Sequence, residues 1–215
     1  RLGLRELMFE ARSILQESKE GMARIHRIVR DLHSFSRVDD DASAVTDVNA
    51  AVESALTMLR NELKYRATVE RQLGATRAVR ASTARLGQVF LNLIINAAHA
   101  MSEGSPKRNR LFVRSFDQGD DVVVEIEDNG PGIPPEVMPR IFETFFTTKA
   151  RGLGTGLGLP ISRDIVRSLG GEITAESARG KGALFRVRLS ALREVPVASS
   201  PSMTKLCSSR RTGAC

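Results

Sequence analysis

The 215-residue sequence predicts an α+β fold, with one long helix leading into a compact region of mixed helices and strands. Three observations predict it. Residues 4–37 contain no proline and carry apolar residues at helical spacing. After a polar break, short alternating apolar runs take over. Two glycine-rich turns, at 128–134 and 152–159, then punctuate the chain where strand should meet loop and loop should meet helix.

The leading helix reads from Leu4 to about Arg37. Leu15, Met22 and Val29 recur every seven residues, Ile25 and Leu32 fill a neighbouring seam, and Ile28 and Phe35 widen the stripe. Such a face needs a partner helix, as in a coiled coil. Asp39-Asp40-Asp41-Ala42-Ser43 ends the pattern as a linker. Val45 to Val48 reads as a short strand, and Asn49 as the cap of a helix over 50–63. Strands follow at 67–73 and 77–81. Ser82 then stands ready to cap a strongly apolar helix reaching Met101. Residues 111–116 and 122–127 alternate as a strand pair, 157–169 reads as a helix, and 172–177 with 183–189 close the region as strands. The small-residue and serine-rich stretch from Val195 onward reads as a disordered tail. The expected division is therefore 1–38 leading helix, 39–44 linker, 45–190 compact domain and 191–215 basic tail.

Composition narrows the function. The net charge is +7, of which the tail supplies +3 through Arg193, Lys205, Arg210 and Arg211 against Glu194. There is no tryptophan and one tyrosine, so no basic stripe with interleaved aromatics is available and no nucleic-acid partner is expected. A basic surface also suits a polyanionic nucleotide or an acidic partner. Cys207 and Cys215 lie together in the tail and form neither a disulfide framework nor a metal cluster, which suggests free thiols in a reducing cytoplasm. No apolar run approaches the roughly 20 residues that span a bilayer. No signal peptide opens the chain, and its start at Arg1 suggests a piece of something longer, such as the cytoplasmic part of a membrane-bound sensor.

Four segments carry chemistry. Asn92 and Asn96 lie four apart and so share one face of the helix over 83–101. Two stacked amides on an otherwise apolar helix favour a ligand or metal shell, and an amide oxygen suits a hard ion such as Mg²⁺. A lone asparagine there would more often cap a loop. His99 lies one turn on, and alone it reads as a surface histidine. Asp128-Asn129-Gly130-Pro131-Gly132-Ile133-Pro134 puts an acid at a strand end before a tight turn, where a carboxylate can accept from an exocyclic amine. A simple Asx turn is the competing reading. Ile141-Phe142-Glu143-Thr144-Phe145-Phe146-Thr147-Thr148-Lys149 uses three phenylalanines as core anchors, then turns polar as a lid hinge with Lys149 available to a phosphate. Gly152-Leu153-Gly154-Thr155-Gly156-Leu157-Gly158-Leu159 opens a helix, where backbone N–H groups and the helix N-terminus favour an anion. It is neither a Walker loop nor a dinucleotide fingerprint, and alone it reads equally as a hinge.

In order and spacing these segments resemble the N, G1, F and G2 boxes of sensor histidine kinases. Gly180-Lys181-Gly182-Ala183-Leu184-Phe185 resembles their last glycine box. The resemblance runs from about Leu4 to Leu189, and Phe146-Thr147-Thr148-Lys149 with the glycine run after it is similar to the nitrogen-regulation branch. It implies a Bergerat-type ATP-binding α/β sandwich, a mixed sheet with helices packed on one face, preceded by one helix of a dimerisation and phosphotransfer hairpin. ATP and Mg²⁺ are the implied cofactors. Asn96 would hold Mg²⁺, with Asn92 supporting the triphosphate end, His99 near the phosphates and Ala100 also among the ATP-binding residues. Asp128 would bond the adenine amino group, Gly130 and Gly132 would shape the base pocket, and Ile133 would lie against the ring. Thr147, Thr148 and Lys149 would act from the lid, with Gly154, Thr155, Gly156, Leu157, Gly158 and Leu159 around the phosphates. Asn92, Asn96 and Lys149 would carry the catalysis.

The implied activity is transfer of the ATP γ-phosphoryl group to a histidine, for relay to an aspartate on a response-regulator receiver domain. The implied assembly is a homodimer through the hairpin helix. Relatives of this fold that hydrolyse ATP tend to carry a glutamate where Asn92 stands, and an amide cannot act as general base. A nucleotide-binding adaptor without kinase activity and an ATPase are the alternatives. Two departures stand out. The usual acceptor histidine is followed by an acid, whereas His26 precedes Arg27 and His33 precedes Ser34, so neither is assigned. Ala183 stands where the last glycine box often has a hydroxyl residue.

Overall fold

The structure is a computed structural model that describes residues 44–101, 104, 106–149 and 154–192, with positions 3, 8–12, 14, 18 and 21 ahead of them. Residues 8–12 are helical. Most of the amphipathic stripe, the 39–43 linker, the tail beyond Leu192, and Gly152 and Leu153 of the glycine run lie outside the described residues.

The compact part is a five-stranded mixed sheet with helices on one face. Its strands are β2 (Thr68–Leu73), β4 (Arg110–Gln118), β5 (Asp121–Asp128), β6 (Glu172–Ser177) and β7 (Ala183–Ser190), in the order β2-β4-β5-β7-β6. β2 runs parallel to β4 and the other pairs are antiparallel. β1 (Val45–Thr46) and β3 (Val79–Arg80) form a separate two-stranded sheet. The expected strand over 77–81 therefore shrinks to two residues. Pairing also extends past Ser190, because Ala191 bridges Val79 and the Leu192 N–H donates to the Ala78 carbonyl.

Among the described residues, the second layer holds α1 (Val48–Met58), the single turn α2 (Arg60–Leu63), α3 (Thr83–Ala100) and α4 (Gly158–Ser168). α1 packs on α3, and α3 on α4. α1 starts earlier than expected. Asp47 is its N-cap, accepting from the Asn49 N–H at 2.9 Å, because an acid two residues closer to the strand satisfies a free helical donor. Asn49 ties layers together instead. Its amide donates to the Gly74 carbonyl at 2.8 Å, and its oxygen accepts from Ser115 Oγ at 2.6 Å. Ser82 holds the N-cap position of α3 without a side-chain capping bond.

Strand alternation explains the layering. On β5, Val122, Val124, Ile126 and Asp128 point under the helices, while Val123 and Glu125 point to the outer face. Leu86, Val89, Phe90, Leu93, Ile94, Ala97 and Ala98 fill the other side of that core from α3. Glu125 is buried on the outer face, where the Arg114 and Arg186 guanidinium groups both donate to it. A charge there is tolerated because it is paired on both sides.

Candidate nucleotide cleft

The apolar face of α3 points into the core, and its other face borders a cleft of about 990 Å³. Asn92, Asn96 and His99 lie along that second face at helical spacing, joined by Ala100. β5 delivers Asp128 to one end of the cleft, with Gly132, Ile133 and Ala183 beside it. The segment after β5 delivers Thr147, Thr148 and Lys149 to the other end. Gly154, Thr155, Gly156, Gly158 and Leu159 border it around the start of α4. Residues more than fifty positions apart in sequence thus surround one space.

Two of the expected residues stand behind the lining. Leu157 is buried in the core beneath α4, where its apolar side chain belongs. Gly130 donates its N–H to Asp128 Oδ1 at 2.8 Å and so orients the acid.

Asp128 is only 4% exposed. Burial pushes its carboxyl up to about 6, against the bonds it accepts from the Gly130 and Ala183 backbones, which favour the charged form. The turn after it is held by the hairpin between β6 and β7. Ser177 Oγ accepts from the Ile133 N–H at 2.8 Å and donates to the Gly182 carbonyl at 2.5 Å. Gly182 has φ +77, and a Cβ there would lie 1.8 Å from the Asp128 carbonyl oxygen. Only glycine permits this approach of two backbones. Ala183 presents a methyl group to the cleft and an N–H to Asp128.

At the opposite end the groups are side chains. Lys149 Nζ donates to Asn96 Oδ1 at 3.0 Å and lies 3.5 Å from His99 Nδ1. His99 Nε2 sits 2.7 Å from Glu62 Oε1. Burial lowers the His99 pKa, the Glu62 bond opposes that, and Lys149 lowers it further. Asn92 is anchored by its amide nitrogen, which donates to the Gly158 carbonyl and to Ser162 Oγ, each at 3.3 Å.

The phenylalanines divide differently from expectation. Phe142 packs against the core, and Phe146 lines the cleft under the Arg140 guanidinium, 4.2 Å from its ring centre. Phe145 is 73% exposed and anchors nothing in the core. Its φ is +65, a conformation costly for a bulky residue, and its N–H donates to the Gly156 carbonyl at 2.9 Å. A Cβ on Gly156 would meet the Phe145 backbone at 2.4 Å. Gly156 therefore serves the fit between the lid segment and the glycine run.

Glu62, Ser162 and Ser177 were not legible as site residues. Their partners lie 37, 70 and 44 positions away, and no local pattern marks them.

Residues 81–193 match the family described as histidine kinase-, DNA gyrase B-, and HSP90-like ATPases. The two-component sensor PprA of Pseudomonas aeruginosa is 41% identical over 181 residues, covering 81% of this chain and 19% of PprA. The sensor kinase CckA of Brucella abortus is 37% identical over 191 residues, 82% of this chain and 20% of CckA. The chain thus spans about a fifth of the length of these curated relatives. Among solved structures, the Acinetobacter baumannii histidine kinase AdeS aligns with a TM-score of 0.65 at 26% identity, over 84% of this chain and 85% of that one. Histidine kinase ThkA, solved in complex with response regulator protein TrrA, aligns with a TM-score of 0.65 at 25% identity, over 81% of this chain and 49% of that one.

Proposed function

Since the chain belongs to the histidine kinase-, DNA gyrase B- and HSP90-like ATPase family, as a sensor histidine kinase catalytic domain, we propose that its cleft binds ATP with Mg²⁺ and donates the γ-phosphoryl group to a histidine. The observation that carries this reading is the polarity of the cleft. A buried acid stands at one end, and amides, a lysine and a helix N-terminus stand at the other. That polarity suits a nucleotide lying lengthwise. Asp128 accepts from the adenine amino group, and Ile133 lies against the ring. Lys149, Asn92 and the backbone around Gly154–Leu159 hold the phosphates.

The residues present fit a magnesium ion that arrives with its nucleotide. Among the described residues no group of three acidic, histidine or cysteine side chains could cage a metal. Asn96 Oδ1 offers one hard oxygen, and Lys149 already sets a cation beside it. Mg²⁺ commonly takes the rest of its shell from phosphates and water. When bound, the ion neutralises charge on the phosphate oxygens. Phosphoryl transfer asks the protein mainly for positioning and electrostatics. The acceptor imidazole attacks through its unprotonated nitrogen, the bond from the γ-phosphorus to the bridging oxygen breaks, and ADP leaves with the electron pair. Asn92 cannot take a proton from water, which favours this transfer over hydrolysis.

The relay would continue to a receiver-domain aspartate, and the leading helix would pair with a second copy. No helix among the described residues is long and apolar enough to cross a membrane, and we place this part of the protein in the cytoplasm. The test is incubation of the full chain with γ-labelled ATP, Mg²⁺ and a histidine-bearing hairpin from a sensor histidine kinase. Acid-labile, base-stable label on that histidine is expected. Brisk hydrolysis with no labelled histidine would sink the kinase reading in favour of an ATPase.

A further inference from the structure

A chain of four side chains crosses the phosphate end of the cleft. Glu62 meets His99 Nε2 at 2.7 Å, His99 Nδ1 faces Lys149 Nζ at 3.5 Å, and Lys149 Nζ meets Asn96 Oδ1 at 3.0 Å. Glu62 comes from α2, a separate turn of helix, and it borders the cleft. Arg66 lies 3.7 Å from the same Glu62 oxygen.

The chemistry of the chain allows one arrangement of protons. A carboxylate can only accept, so Nε2 must carry a hydrogen. An ammonium can only donate, so Nδ1 must be bare. The other neutral tautomer would set a lone pair against Glu62 and an N–H against Lys149. A doubly protonated ring would place two cationic donors face to face.

We infer that Glu62 is a positioning residue for nucleotide binding: it fixes His99 as the Nε2–H tautomer, so that the bare Nδ1 steers the Lys149 ammonium over Asn96. Without such an acceptor, Lys149 is a flexible stem on a lid segment and loses rotamer freedom when it meets a phosphate. With it, the ammonium is held beside the amide oxygen proposed for the metal. On nucleotide binding it need only shift from that oxygen to a phosphate, keeping its contact with Nδ1. Partners one step removed from a ligand commonly act in this way, by choosing a tautomer and a ring orientation.

This rests on the proposed phosphate end of the cleft, but its primary readout does not. That readout is the imidazole ¹⁵N–¹H spectrum of the full chain at pH 7 without nucleotide. A His99→Gln spectrum assigns the signal among the three histidines. The expected result is a protonated Nε2 and a bare Nδ1 in the native chain and in Glu62→Gln, whose amide oxygen still accepts. Glu62→Ala should give a tautomer mixture and bind ATP with Mg²⁺ roughly threefold more weakly, with adenosine affinity unchanged. A proton on Nδ1 in the native chain or in Glu62→Gln would overturn the inference. So would an unchanged tautomer and ATP affinity in Glu62→Ala, or an equal loss of adenosine affinity, which would mean a structural role only. If the native chain binds no ATP, the proposed function falls, while the nucleotide-free spectrum still decides the tautomer.

Discussion

The two ends of the cleft are built on different principles. The Asp128 end is backbone architecture. A strand end, a tight turn and a neighbouring hairpin meet so closely that Gly182 has no room for a Cβ. Asp128 receives its bonds from main-chain N–H groups, and Ile133 is pinned through Ser177. The Asn96 end is assembled from side chains of α2 and α3 and from Lys149. Main-chain bonds in a sheet cannot shift without unpairing strands, whereas long side chains rearrange in nanoseconds. One end is thus suited to recognising a rigid ring and the other to a flexible, charged chain whose terminus must leave.

The Asp128 end is most vulnerable at Gly182. Gly182→Ala forces a Cβ toward the Asp128 carbonyl in a left-handed conformation, and it should destabilise the fold by roughly 3 kcal/mol or more. Urea unfolding measures this. A loss under about 1 kcal/mol would mean that the Asp128 end is not rigid.

A smaller effect is expected at the acid itself. Asp128→Asn should weaken both ATP and adenosine by roughly ten- to a hundredfold in titration calorimetry, since a buried acceptor is replaced at the bonded position. The pH dependence carries two opposite signs. The folded carboxyl titrates at about 6 rather than at its ordinary 3.8. Its contribution to nucleotide-free stability is therefore full below about 3.8 and lost as pH rises through about 6. Nucleotide affinity runs the other way. An amine donates to the carboxylate, so binding weakens as pH falls through about 6, with proton release near that value. Asp128→Asn should flatten both trends. A native affinity that stays constant from pH 7.5 to 5 would remove Asp128 from the base contact.

The smallest effect sharpens the contrast. Lys149→Ala should weaken ATP by about fivefold and leave adenosine unchanged, because one flexible cation meets only the phosphates. Equal losses for both ligands would show that the ends are not independent.

Much of the fold was legible because periodicity reports burial. The apolar face of α3 and the alternation of β4 through β7 follow from which residues must leave water. Boundaries set by competing short-range bonds were less legible. Asp47 rather than Asn49 caps α1, since both residue types suit the position and only the approach of Gly74 and Ser115 draws Asn49 away. In the cleft, Asn92, Asn96 and Asp128 could be singled out because each is a polar residue where an apolar or small one would be ordinary, and Lys149 because it is a cation in a polar lid segment. Phe145 departs from the expected core anchor, although an aromatic side chain usually signals burial. Here the left-handed backbone opposite Gly156 turns it outward.

What the sequence determined by itself is the α+β architecture and the ordered glycine and asparagine segments through which the chain resembles its family. These depend on residue type and local spacing, which the chain carries wherever it folds. Tertiary structure alone decided that Glu62 meets His99, that Ser177 holds the turn after Asp128, and that Gly130 and Leu157 stand behind the cleft instead of lining it. Such contacts join residues with no pattern in common. They form only when the packing of α1 to α3, and of the hairpin against the β5 turn, brings them within a hydrogen bond's length.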